Sequence, residues 1–177
     1  RLSKEPENLD LQLPLATVLA RTGDRNASEA LLLQARRLTD TPARYRLWLQ
    51  TALEAHELFG DEALFFDAEQ PRLMTEAESE PEDRWSPDRI ERFLIYCELG
   101  EENRLQDRVT LALRNQLTDP EIPSELRLRL RRLLVRALER TPERAGEAEQ
   151  QLELLAKEDP GRASEYDLRR ALMYHSL

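Results

Sequence analysis

Residues Leu15–Ala35 read LATVLARTGDRNASEALLLQA. Apolar residues recur at helical spacing on both sides of a Gly23-Asp24 turn, the pattern of two short amphipathic helices. Isolated helices of fewer than about 12–15 residues are marginal in water. This pair therefore needs cover from elsewhere in the chain. The decisive question is whether the same unit occurs again.

It does. Pro42, Pro81, Pro120 and Pro160 stand 39, 39 and 40 residues apart. Turn signals fall between them at Gly23, Gly60, Gly100 and Thr141-Pro142. The chain is cut about every twenty residues, and each piece carries helical apolar spacing. Phe93–Ala112, FLIYCELGEENRLQDRVTLA, can be laid on the first stretch. Gly23 then meets Gly100, Asn26 meets Asn103, Leu19 meets Tyr96, Leu32 meets Val109 and Ala35 meets Ala112. Capping chemistry agrees. Asn26 with Glu29 has the spacing of a capping box. Thr41-Pro42, Ser86-Pro87, Thr141-Pro142 and Asp159-Pro160 each place a cap residue before a first-turn proline. The predicted helices cover 9–22, 26–39, 42–59, 61–78, 87–99, 102–118, 123–140, 143–158 and 161–174, with no strand. Pro71 should break or kink the fourth.

The expected fold is all-α: an α-solenoid of about four to four and a half stacked antiparallel hairpins. The array fills 1–177, with units near 9–40, 41–80, 86–119 and 122–159 and a final helix at 161–174. Arg1 in place of an initiator Met, and the stop at Leu177, lead us to expect a piece of a longer protein. The helix near Leu126–Arg140 fits stacking. Leu126, Leu130, Leu133, Leu134 and Ala137 form one apolar side, Leu128 and Val135 a second. An ordinary helical bundle is the alternative.

Composition narrows the function. Hydrophobic residues are 40%, charged residues 34% and the net charge is −9. An acid excess argues against a general nucleic-acid binder, which needs clustered cations. No apolar run is long enough for a membrane span. Cys97 has no partner for an internal disulfide, and its apolar setting makes it a structural thiol. His56 has no second His four residues on, and His175 stands near the end, so no metal site or cofactor is expected. No carboxylate pair, Gly-rich phosphate loop or nucleophile stands out, and no catalytic residue is assigned. Tyr45 and Trp48 are expected in the core. Phe65 and Phe66 point to different sides of a helix, which leaves one for a partner contact.

Ala16, Leu19, Gly23, Leu32 and Ala35, then Tyr96, Gly100, Val109 and Ala112, and more faintly Ala148, Leu152 and Pro160, resemble the tetratricopeptide repeat pattern. The period near 39–40 is longer than that family's 34 and is shared by HEAT-type repeats. The resemblance implies a concave groove lined by the first helix of each unit. On that side would fall Arg129, Arg132, Arg136 and Arg140, then Arg162 and Arg169, with Gln50, Glu54 and Glu57 in the hairpin near 41–80. An acidic protein segment would suit the basic C-terminal groove, and a cationic partner the acidic N-terminal part. The other reading of the arginines is a solvated stripe. The run Glu76–Asp83, EAESEPED, reads as an acidic loop or a docking site for a cationic partner.

The expected function is a non-catalytic protein-protein interaction scaffold. The alternative is a regulatory or substrate-recognition segment of a larger multidomain enzyme. The Arg/Leu-rich, long-period units also look like the periplasmic repeat arrays of bacterial exopolysaccharide-export proteins of the Pel, cellulose and alginate type. That resemblance implies a periplasmic scaffold that recruits a polymer-modifying enzyme or touches the polysaccharide itself.

Overall fold

The computed structural model describes residues 8–75 and 85–175. Among these the chain is all-α: α1 (Leu9–Arg21), α2 (Arg25–Arg36), α3 (Pro42–Phe59), α4 (Glu62–Thr75), α5 (Pro87–Glu102), α6 (Gln106–Leu117), α7 (Ser124–Glu139), α8 (Ala145–Glu158) and α9 (Ala163–His175). Single 3₁₀ turns precede α8 and α9. The predicted acidic loop Glu76–Asp83 lies outside the described residues.

Local chemistry explains most helix boundaries and corrects several. After α1 and α3 the chain reverses through Gly23 (φ 83°) and Gly60 (φ 72°) in the left-handed region. Asp24 N–H donates to the Leu19 carbonyl and Asp61 N–H to the His56 carbonyl, the longer hydrogen bonds of Schellman ends. Gly100 is no turn. It is buried inside α5, which runs on to Glu102. The Schellman end sits four residues later, with Arg104 at φ 61° and Leu105 N–H donating to the Gly100 carbonyl at 2.8 Å. Nor is Asn26 the cap of α2. Asp24 is, accepting from Ala27 N–H at 3.2 Å, while Glu29 pairs with Arg25. Thr41 caps α3 as expected, but Ser86 makes no side-chain cap bond. Pro142 and Pro160 open 3₁₀ turns rather than α-helices. Pro71 does not break α4, which is continuous over Glu62–Thr75.

The chain divides into two compact units, residues 1–105 and 106–177. In the first, α1, α3 and α5 lie side by side, α1 on α3 and α3 on α5. The second helices fill in behind: α2 packs on α1 and α3, and α4 on α3 and α5. This two-layer arrangement is compatible with a helical-repeat fold. Its core is aromatic. Tyr45, Trp48, Phe66 and Tyr96 are each at most 1% exposed. Phe66 stacks on Tyr96 at 3.9 Å, and Trp48 Nε1–H donates to the Leu32 carbonyl at 2.8 Å. Phe66 is buried, while Phe65 on the other side of α4 is partly exposed and stacks on His56 at 4.3 Å. Cys97 is buried, as expected, and is in no disulfide among the described residues.

The most deeply buried charged group among the described residues of this unit lies beside that core. The Glu69 side chain on α4 is 0% exposed and faces Arg36 of α2. Arg36 Nη2 and Nε donate to it at 3.0 and 3.2 Å, and the Tyr45 hydroxyl donates at 3.3 Å. Burial first, then the neighbouring carboxylate, holds the Tyr45 phenol well above its ordinary value. The pair ties α2, α3 and α4 together.

In the second unit each helix packs on the next, α6 through α9. Helix α7 is covered on two sides. Leu126, Leu130, Leu134 and Ala137 are buried. Val135 joins Leu152 and Leu155 of α8 and Tyr166 of α9 in one cluster, with Leu128 packed at its edge. Arg114 of α6 also binds Glu147 of α8 with two hydrogen bonds.

Candidate functional site

The predicted arginine stripe lies in the second unit, where one of its four members on and just after α7 is drawn into internal bonds. Arg129, Arg136 and Arg140 are exposed on α7. Arg132 instead reaches α9 and the turn before it. Its Nε donates to the Tyr166 hydroxyl at 3.0 Å and its Nη2 to Asp159 Oδ2 at 2.5 Å. Tyr166 in turn donates to Asp159 at 2.9 Å. The tyrosine hydroxyl and, after it, Arg132 hold the Asp159 carboxyl below its ordinary value, outweighing desolvation. Arg162 pairs with Glu165 and Arg169 with Glu139. Arg131, which the stripe reading passed over, is buried against Glu158 and Gln151. Residues 106–177 hold 13 Lys and Arg against 13 Asp and Glu, whereas residues 1–105 hold 13 against 22. The whole net charge of −9 therefore belongs to the first unit.

A substitution pair checks this division. Arg129→Glu should leave the thermal midpoint nearly unchanged, as exposed substitutions stay within about 0.5 kcal/mol. Arg132→Glu should lower it clearly, because it sets a carboxylate against Asp159 beside a buried tyrosine. Equal melting curves for the two variants would refute the assignment.

In the first unit Gln50, Glu54 and Glu57 are exposed along α3. Gln50 Nε2 donates to Glu54 at 3.3 Å. Beside them an open cleft of about 250 Å³ runs between α1 and α3, lined by Asp10, Leu13, Pro14, Thr17, Leu47 and Thr51. Leu47 is 46% exposed there. Helical spacing accounts for which residues of each helix line the cleft. Asp10, Leu13, Pro14 and Thr17 recur at helical spacing and share the side of α1 turned to α3, and Leu47 and Thr51 are one turn apart on α3. No spacing rule marked these residues beforehand, because a threonine or a proline in a helix carries no chemical signature.

A second cluster gathers Glu29, His56 and Asp61, whose ligand atoms lie within 4.8 Å of one another. The donor types suit a divalent cation. A guanidinium already supplies the positive charge: Arg25 binds both Glu29 and Asp61 and lies over the Phe59 ring. His56 Nδ1 and Asp61 Oδ1 are 2.8 Å apart. A metal would have to displace Arg25, so we assign none. Desolvation pushes the Asp61 carboxyl up, but the hydrogen bonds from His56 and Arg25 outweigh it and leave it below its ordinary 3.8. A folded-state value below the unfolded one contributes stability above that pH and loses it as pH falls through the folded value. Urea midpoints should thus drop below about pH 4, and Asp61→Asn should lower the neutral-pH midpoint and flatten the acid drop. An unchanged pH profile in that variant would contradict the assignment.

Fold and site together define an all-α protein of packed helical hairpins, with an acidic first unit and a charge-balanced second. No protein-family model, no curated protein and no solved structure matches the chain. No described helix is long and apolar enough to cross a membrane.

Proposed function

We propose that the chain is a non-catalytic interaction scaffold of the helical-repeat type, and that its binding face is the α1–α3–α5 side of the first unit. The observation that carries this reading is the α1/α3 cleft, with an exposed Leu47 at its edge and Gln50, Glu54 and Glu57 on the adjoining surface of α3. A helix layer already packed on its neighbours needs little ordering when a partner docks, which lowers the cost of binding. The unit's acid excess favours a cationic partner and raises its association rate. The exposed arginines of α7 offer an acidic segment less, since their neighbours Arg132, Arg162 and Arg169 already hold internal carboxylates.

The finer form of the proposal is a tetratricopeptide-like solenoid. In the version closest to exopolysaccharide-export arrays, it would sit in the periplasm and hold a polymer-modifying enzyme. That version rests on the long-period, Arg/Leu-rich units alone.

A photo-crosslinking residue at position 47, in an extract of the source cells, should give a protein adduct. The same residue at Leu64, which is 69% exposed on α4, should not. Excess unlabelled chain should compete the adduct away, and excess chain carrying Glu54→Lys and Leu47→Glu should not. No adduct specific to position 47 would sink the proposal.

A further inference from the structure

Building on the interaction reading, we propose that the α1/α3 cleft receives a lysine side chain from an aliphatic-flanked basic segment of a partner protein. The argument is a count of donors and acceptors. The Thr17 hydroxyl donates to the Leu13 carbonyl at 3.1 Å, and the Thr51 hydroxyl to the Leu47 carbonyl at 2.9 Å. Each hydroxyl has one proton, so both threonines offer the cleft lone pairs only. Pro14 has no N–H, so the carbonyl of Asp10 lacks the donor that the fourth residue on would supply in a helix. The Asp10 carboxylate adds further acceptors and makes no salt bridge among the described residues. The polar lining is therefore made of acceptors, set among the apolar surfaces of Leu13, Pro14 and Leu47.

A ligand for such a cleft must be rich in donors, positive and apolar along its stem. A lysine ammonium carries three donors and no acceptor on a four-carbon chain. Arginine suits it less well, because its planar fork favours a bidentate carboxylate, and here one carboxylate stands among dispersed single acceptors. An acidic or phosphorylated segment would meet acceptors with acceptors. The size agrees: about 250 Å³ is below the roughly 300–1,000 Å³ of small-molecule pockets and fits a single side chain. The described residues of the surrounding unit hold 10 Lys and Arg against 15 Asp and Glu, an excess that favours a cation.

The test uses the 177-residue chain and a phage-displayed library of random twelve-residue peptides. Recovered peptides should be enriched in lysine flanked by aliphatic residues. For the best of them, replacing the lysine by norleucine should weaken Kd at least tenfold, and acetyl-lysine should do the same. Asp10→Asn and Thr51→Val, checked for intact helicity, should each weaken Kd several-fold, and added salt should weaken it further. Norleucine or acetyl-lysine peptides that bind as well as the parent would overturn the proposal. So would 1,5-diaminopentane binding as tightly as the peptide, which would make this a site for free amines. Peptides that depend on Leu47 but show no lysine preference would refute the lysine assignment and leave the scaffold reading standing. If no recovered peptide is sensitive to Leu47→Glu, both readings fall.

Discussion

Replacing Glu69 by alanine is expected to lower stability by about 3–5 kcal/mol, the usual cost of removing one partner of a buried ion pair. The carboxylate is 0% exposed and the Arg36 side chain only 15% exposed. Alanine would take away the charge that balances the guanidinium and would strip the Tyr45 hydroxyl of an acceptor 3.3 Å away. Arg36 also lies 5.5 Å from the centre of the Trp48 ring, so the change reaches the aromatic core. Glu69→Gln keeps the shape and loses only the charge, and should cost less. Converting both partners, Arg36→Met with Glu69→Leu, should recover most of the loss, since apolar replacement of a whole buried pair is often neutral or better. Trp48 and Trp85 both lie in this unit, so tryptophan fluorescence in urea reads its unfolding directly. A Glu69→Ala variant within about 1 kcal/mol of the parent would mean that the pair is not held as described.

Helix type and count were legible in the sequence because prolines and glycines punctuate it at a constant period. The misplacements have physical causes. At Arg104 a non-glycine takes the left-handed conformation, so the turn was assigned to the nearest glycine, Gly100, one helical turn too early. At the start of α2, Asp24 and Asn26 are both good caps, and the backbone after Gly23 selects Asp24. Glu69 was invisible because a glutamate on a charged helix reads as solvated. A signal did exist: Arg36–Glu69 and Arg114–Glu147 share a separation of 33, and the second pair repeats the first 78 residues later, two proline periods on. The spacing of the arginine stripe was readable, but not which of its members is drawn into internal bonds. Which arginine faces Tyr166 and Asp159 depends on how α9 packs on α7, which no local pattern encodes. The α1/α3 cleft was hidden for a related reason, since it is made of ordinary residues brought together by packing.

Leu152→Ala should cost about 2–5 kcal/mol, the range for a fully buried leucine, and its effect should spread to three helices. Leu152 is 0% exposed on α8, between Val135 of α7 and Tyr166 of α9, with Leu155 beside it. Truncation opens a cavity shared by all three helices, and neighbours that interlock around Tyr166 have little room to collapse into it. Leu154, two residues away and 37% exposed, is the control. Its alanine variant should cost far less, and alanine's helix propensity works in its favour. The second unit holds no tryptophan, so hydrogen exchange is the better reading. Amides of α7, α8 and α9 should lose protection together in Leu152→Ala and keep it in Leu154→Ala. The shared loss is the discriminating result, because it follows only if α8 takes its cover from the helix before it and the helix after it. Loss confined to α8, or equal costs for the two variants, would mean that each helix is sustained locally. The mutual cover described for α7, α8 and α9 would then be refuted.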